Sequence, residues 1–189
     1  MRQPKPEKPY KYKVILLMPE NLKGAKNAET LLQQALEVLN THRLGPGFRF
    51  SDDVVAALEV AHDKETVLRR AREKDLALVI ACGFPQEELT RLAHNCRSYQ
   101  VQFCHAREIP PDDHGVNARF IWTHGKDLVK APGGREIIGH EIEQTIFTNA
   151  ISDDHEEFQS RIFGAIQILA MGVMSAHSFK HDPPRRSQG

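Results

Sequence analysis

The chain has 189 residues with 25 basic and 25 acidic side chains, a formal net charge of zero, 10 histidines and three cysteines. That length suits one domain with a sizeable core, and the balanced charge excludes a strong whole-molecule field toward nucleic acid or an anionic membrane, so any anion site has to be local. Three cysteines cannot build a disulfide framework and no apolar run approaches the roughly 18 residues of a membrane span, so reduced thiols in a cytoplasmic protein are expected.

Residues 1–12, MRQPKPEKPYKY, read as a flexible leader rich in proline and basic side chains. A first strand is expected from Lys13 to Met18, and its exit loop carries Glu20, Lys23 and Lys26. Asn27 suits a helix N-cap, and Leu31, Leu32, Ala35, Leu36 and Leu39 follow at helical spacing. Asp52 to Ala61 reads as a second strand, although its VVAAL also fits a helical turn. Asp63 then caps a helix that runs to about Lys74.

The next stretch, Asp75 to Gly83 (DLALVIACG), organises the chain. Its uninterrupted apolar run, left through Gly and Pro, is the pattern of a strand buried on both faces. Pro85 is expected at the first helical position of the following helix, with Glu87 and Glu88 at its positive end. Val101 to Cys104 and Ala118 to Thr123 read as two more strands, separated by a loop rich in Pro and Asp.

No strand pattern is apparent past residue 123. Gly133-Gly134 is expected to open a helix to about Asn149, and Asp153 or Asp154 to cap a last helix to about Ser178. Alternating strands and helices followed by helices predict a Rossmann-like or flavodoxin-like three-layer α/β domain with a parallel sheet and a C-terminal helical pair. The expected boundaries are a single domain over 13–180, with the sheet core in 13–127 and C-terminal helices in 133–179, then a disordered tail over 181–189.

In open parallel sheets ligands bind at the carboxyl ends of the strands. Those ends are expected to hold Glu20, Lys23, Lys26, Cys82, Gly83, Cys104, His105, Arg107, His124 and Lys126, with Gly133, Gly134 and Arg135 supplying a helix start whose N–H groups favour an anion. The expectation is a nucleotide or other phosphorylated small molecule, bound and then hydrolysed or transferred in part. Lys23, Lys26, Lys126 and Arg135 would neutralise phosphate, Gly83, Gly133 and Gly134 would let backbone approach it, and His105, His124 and Glu20 are the acid, base and carboxylate candidates. Ordinary solvated loops are the competing reading.

Ala131-Pro132-Gly133-Gly134-Arg135-Glu136 resembles the glycine pair of the lysine-decarboxylase-like nucleotide phosphoribohydrolases. That motif continues with Gly-Thr and a catalytic Glu, where this chain has Ile137-Ile138, so only the phosphate argument carries over. The strand and helix order over about residues 13–105 resembles a two-component receiver domain. Cys82 stands where that family has its acidic phosphate acceptor, so the resemblance implies a receiver-like fold without phosphotransfer.

Glu136, His140 and Glu143 or Gln144 would share a helix face, but the second His of a zinc-peptidase helix is missing and no metal site is assigned. Nor does the sequence name a cofactor. Cys82 and Cys104 could be activated by His105 or His124, with inert packing as the more common role for Cys. The apolar stripe Phe158, Ile162, Ile166, Leu169, Val173 and Met174 fits either a helix laid across the sheet or a homodimer through the helix at 154–178. A non-catalytic receiver-like regulatory or oligomerisation module acting through that helix is therefore the second functional reading. Nucleic acid is not the expected partner.

Overall fold

A computed structural model describes residues 8–20, 22, 25–41, 49–108, 118–123, 129–130, 136–137, 144–147 and 155–181. Its central sheet has the order β2-β1-β3-β4-β5-β8. The strands are β1 (Tyr10–Leu17), β2 (Val54–Ala61), β3 (Leu76–Cys82), β4 (Gln102–Glu108), β5 (Ala118–Thr123) and β8 (Gln144–Phe147). The short strands β6 (Val129–Lys130) and β7 (Glu136–Ile137) pair with each other.

Strands β1 to β4 are parallel, joined through α1 (Ala25–Asn40), α2 (Lys64–Ala71) and α3 (Gln86–Ser98). The long C-terminal helix α4 (His155–His181) completes the helical layers. This is a Rossmann-like or flavodoxin-like α/β arrangement.

All seven residues of β3 are buried, as a central strand covered on both faces requires. The strand period of two sorts side chains to opposite layers. Val14, Leu16, Leu78 and Ile80 meet Leu32, Leu36, Leu169 and Val173 of α1 and α4, whereas Ile15, Leu17, Val79 and Ala81 meet Val67, Leu89 and Leu92 of α2 and α3. Between Lys13 and Val14 the register with β3 slips by one residue, which skips Ala77. Adjacent Ala77 and Leu78 consequently join the same layer, as a bulge permits.

Helix α4 lies against α1 and the sheet. Ala165, Leu169, Val173 and Ala176 are each under 1% exposed and join the core that α1 and the sheet form with this helix. Of the apolar stripe, Ile166, Leu169 and Val173 are thus buried within the chain, and Ile162 and Met174 are half-buried against the same core. Asp63 caps α2 as expected, accepting from the Thr66 N–H at 2.7 Å and from its hydroxyl at 2.8 Å.

Several boundaries move. The first strand starts at Tyr10 inside the expected leader, because the Tyr10 N–H donates to the Asp53 carbonyl at 2.6 Å and Tyr12 turns into the core. Helix α1 starts at Ala25, which puts Asn27 in its first turn, and Pro85 is the N-cap of α3 with no side-chain cap bond. Strand β4 runs on to Glu108, so His105 and Arg107 belong to the strand and not to its exit loop.

The helix expected from Gly133 is replaced by β7 and β8. Thr145, Ile146 and Phe147 are β-branched or aromatic, and pairing with β5 decides a segment whose apolar spacing also fitted a helix. The expected C-terminal pair is represented among the described residues by α4.

Candidate functional site

The sheet order sets one topological switch point. Strand β1 leads into α1 on one face, β3 leads into α3 on the other, and the two connections part at the carboxyl ends of adjacent strands. Gly83 forms the turn out of β3 with φ of +77°, where a side chain is strained. A Cβ there would stand 2.8 Å from Leu22 Cδ1 and 2.9 Å from Pro19 Cδ. The two exit loops therefore close on each other at this glycine.

Glu20 is exposed beside that contact. Lys26 lies in the first turn of α1, which carries no acidic residue, whereas the first turns of α2 and α3 hold Glu65 and the pair Glu87 and Glu88. Electrostatics at this edge thus favour an anion at α1 over its neighbours. The His62 ring nitrogen Nδ1 sits 2.9 Å from the Met18 carbonyl, tying the ends of β1 and β2 together.

His105 pairs in register with Ala81, which pairs with Leu17, so its backbone lies near the carboxyl ends of β1 and β3. Strand β5 runs antiparallel to β4 and ends with Thr123 beside Phe103, well below that edge. The parallel direction that would have brought His124 and Lys126 to the crevice is absent. Lys23, His124, Lys126, Gly133, Gly134 and Arg135 themselves lie outside the described residues. With strand β7 at Glu136–Ile137, the helix start expected at the glycine pair loses its basis, as does the helical face proposed for Glu136 and Gln144.

The cysteines are all buried and unbridged. Burial pushes the Cys96 thiol up to about 12 and raises Cys104 further, with Cys82 adding to the effect on Cys104. Neither is a thiolate near neutral pH, which fits packing better than nucleophilic chemistry. Among the described residues no group of three or more His, Cys, Asp or Glu could hold a metal, and no helix is long and apolar enough to cross a membrane.

At the opposite, amino edge lies a cleft of about 670 Å³ where β1, β3 and β4 begin and α4 ends. Tyr12 Oη stands 2.6 Å from His177 Nδ1 and 3.1 Å from His181 Nε2. One phenolic hydrogen can serve only one imidazole, so the other ring donates its own N–H. Burial first, then the Tyr10 and Asp53 charges, raise the Tyr12 hydroxyl to about 12. Burial and His181 lower the His177 pKa, opposed by Asp53.

Arg70 holds the rim of this edge. Its guanidinium donates to Glu59 at 3.0 and 3.1 Å, to Asp75 at 3.4 Å and to Glu73. The Lys180 ammonium donates to the Tyr99 carbonyl at 3.3 Å, and burial lowers its pKa against the pull of Asp75. Sequence reasoning missed this edge. Tyr10 and Tyr12 fall within the stretch expected as leader, and the i, i+4 spacing of His177 and His181 is the one local sign that two imidazoles share a helix face.

The fold defines the chain as an α/β domain of the doubly wound class, with a topological switch between β1 and β3. No protein-family model matches the sequence, and no match is found among curated proteins.

Proposed function

We propose that the protein binds a phosphorylated small molecule, nucleotide-like in chemistry, in the crevice between the exits of β1 and β3. The observation that carries this reading is the switch point itself, with the acid-free start of α1 beside it. Lys23 and Lys26 would neutralise phosphate there, and the Gly83 turn would bring backbone close. Glu20 and His105 are the carboxylate and acid or base candidates for hydrolysis or transfer within that crevice. Reduced, buried thiols are compatible with a cytoplasmic setting. The alternative of a regulatory module acting through its last helix would have to use a surface other than Ile166, Leu169 and Val173, which already pack in the core with α1 and the sheet.

Thermal-shift measurements with mono- and dinucleotides test the proposal on wild type, Lys23→Ala and Lys26→Ala. A bound ligand at 100 times its Kd should stabilise the fold by roughly 2.7 kcal/mol. A shift that both lysine variants lose supports the crevice. No shift with any phosphorylated ligand, or one that survives in both variants, rejects it.

A further inference from the structure

We infer that the free edge of β2 docks an extended peptide segment with alternating apolar and basic side chains, which adds a further strand to the sheet. Strand β2 is outermost and pairs with β1 alone. In an extended strand the N–H and C=O of one residue point to one side and those of the next residue to the other. The odd-numbered residues of this segment face β1: the Asp53 carbonyl accepts from the Tyr10 N–H at 2.6 Å, and the Ala61 carbonyl from the Met18 N–H at 3.0 Å. The even-numbered residues therefore face outward.

That outward row is closed at its start and open at its end. The Val54 N–H donates to the Ser51 carbonyl at 2.9 Å. Asn40, the last residue of α1, donates to the Ala56 carbonyl at 2.8 Å and accepts from the Ala56 N–H at 2.9 Å. Its carboxamide thus occupies the place that the peptide group of a neighbouring strand would take, so the edge already accepts an amide partner at one position. Leu58 and Val60 come next, and their outward N–H and C=O groups have no partner among the described residues. Two donor and acceptor pairs at a two-residue repeat match the main chain of another extended segment.

The side chains of this stretch select the partner. Leu58 and Val60 are half-buried against the core that α1 covers, so apolar residues suit the positions opposite them. Glu59, between them, turns to the other face, where it pairs with Arg70 at 3.0 Å. That one guanidinium also serves Glu73 and Asp75, and no second cation forms an ion pair with these three carboxylates among the described residues. The negative excess favours a basic residue opposite Glu59. A second copy of this chain fits less well. In the antiparallel register that uses Leu58 and Val60 of both copies, Glu59 would stand directly against its own counterpart, and like charges so placed are destabilising.

The test is amide hydrogen exchange, followed by NMR on the full isotope-labelled chain, with an end-capped heptapeptide of alternating Val and Lys as probe. In the free protein the Ala56 amide should exchange slowly and those of Leu58 and Val60 fast, and the peptide should slow both. Replacing its Lys by Glu should weaken binding by roughly two- to fivefold, and Glu59→Gln should reduce that preference. Methylating the Val amides of the peptide, which face β2, should abolish binding, whereas methylating the Lys amides should not. These controls change the peptide and leave the folded chain intact. Any of four results overturns the inference: no protection of Leu58 and Val60 by the peptide, protection of both in the free protein as a dimer holding this edge would give, equal affinity for the Lys and Glu peptides, or binding that survives methylation of the Val amides.

Discussion

At the carboxyl edge, Leu22 and Pro19 stand within 2.9 Å of the place a Gly83 Cβ would occupy, and α2 and α3 begin with acidic residues. At the amino edge Tyr10 and Tyr99 are partly open to solvent in a cleft also lined by Lys11, Arg72 and Lys74, and one buried phenol bridges two imidazoles. The same four parallel strands thus end in a tightly closed glycine turn and start from an open, basic cleft. Fold class alone directs attention to the first edge, whereas side-chain chemistry directs it to the second.

The largest effect should come from closing the gap that Gly83 leaves. Gly83→Ala places a Cβ into Leu22 and Pro19 and holds alanine at positive φ, a loss of about 2–5 kcal/mol from left-handed strain plus overpacking. Urea denaturation measures it, and a neutral result would mean that the two exit loops are not packed as described.

At the other edge, Tyr12→Phe removes the hydroxyl shared by His177 and His181 and should cost about 1–3 kcal/mol. It should also change the alkaline limb of stability. The raised Tyr12 pKa confers stability that is complete below the unfolded value of 10.0 and is lost as pH rises toward about 12. Denaturation between pH 9 and 12 should show that fall in wild type and a smaller one in Tyr12→Phe.

Acid acts on the same cluster through His177. Its folded pKa lies below the ordinary histidine value of 6.5, so the unfolded chain takes up its proton first. Stability from the neutral ring is complete above 6.5 and falls as pH drops from there toward the folded value, while His181 and Asp53 pull in opposite directions. His177→Gln should flatten this dependence in pH-resolved thermal melts. An unchanged profile would assign the acid sensitivity to another group.

The smallest effect is expected at Gln100, whose φ of +61° sits where a helix C-cap usually has glycine. The Val101 N–H donates to the Cys96 carbonyl and the Gln100 N–H to the Arg97 carbonyl, both at 2.9 Å, which closes α3 and aims Tyr99 at the cleft. Gln100→Gly should raise stability by about 0.5 kcal/mol, since relief of left-handed strain is partly offset by a looser unfolded chain. A loss instead would show that the Gln100 side chain supports the cleft.

The sequence by itself determined the strands and helices whose periodicity is unambiguous: the doubly buried run of β3, the amphipathic α1, the Asp63 cap and the limits of β5. It also identified Gly83 as a turn residue, since an apolar strand leaving through Gly and Pro has few alternatives. Direction and partnership were decided only by the tertiary structure. Nothing local in Ala118 to Thr123 says that β5 pairs antiparallel with β4, yet that choice removes the reason to place His124 and Lys126 at the crevice. Gln144–Phe147 became a strand because β5 offered an edge to pair with, overriding a helical spacing. Tyr10, Tyr99 and His181 line one cleft because parallel strands start on the same edge and α4 runs back to it. Such a site joins residues from both ends of the chain, and a local pattern carries no information about contacts across that separation.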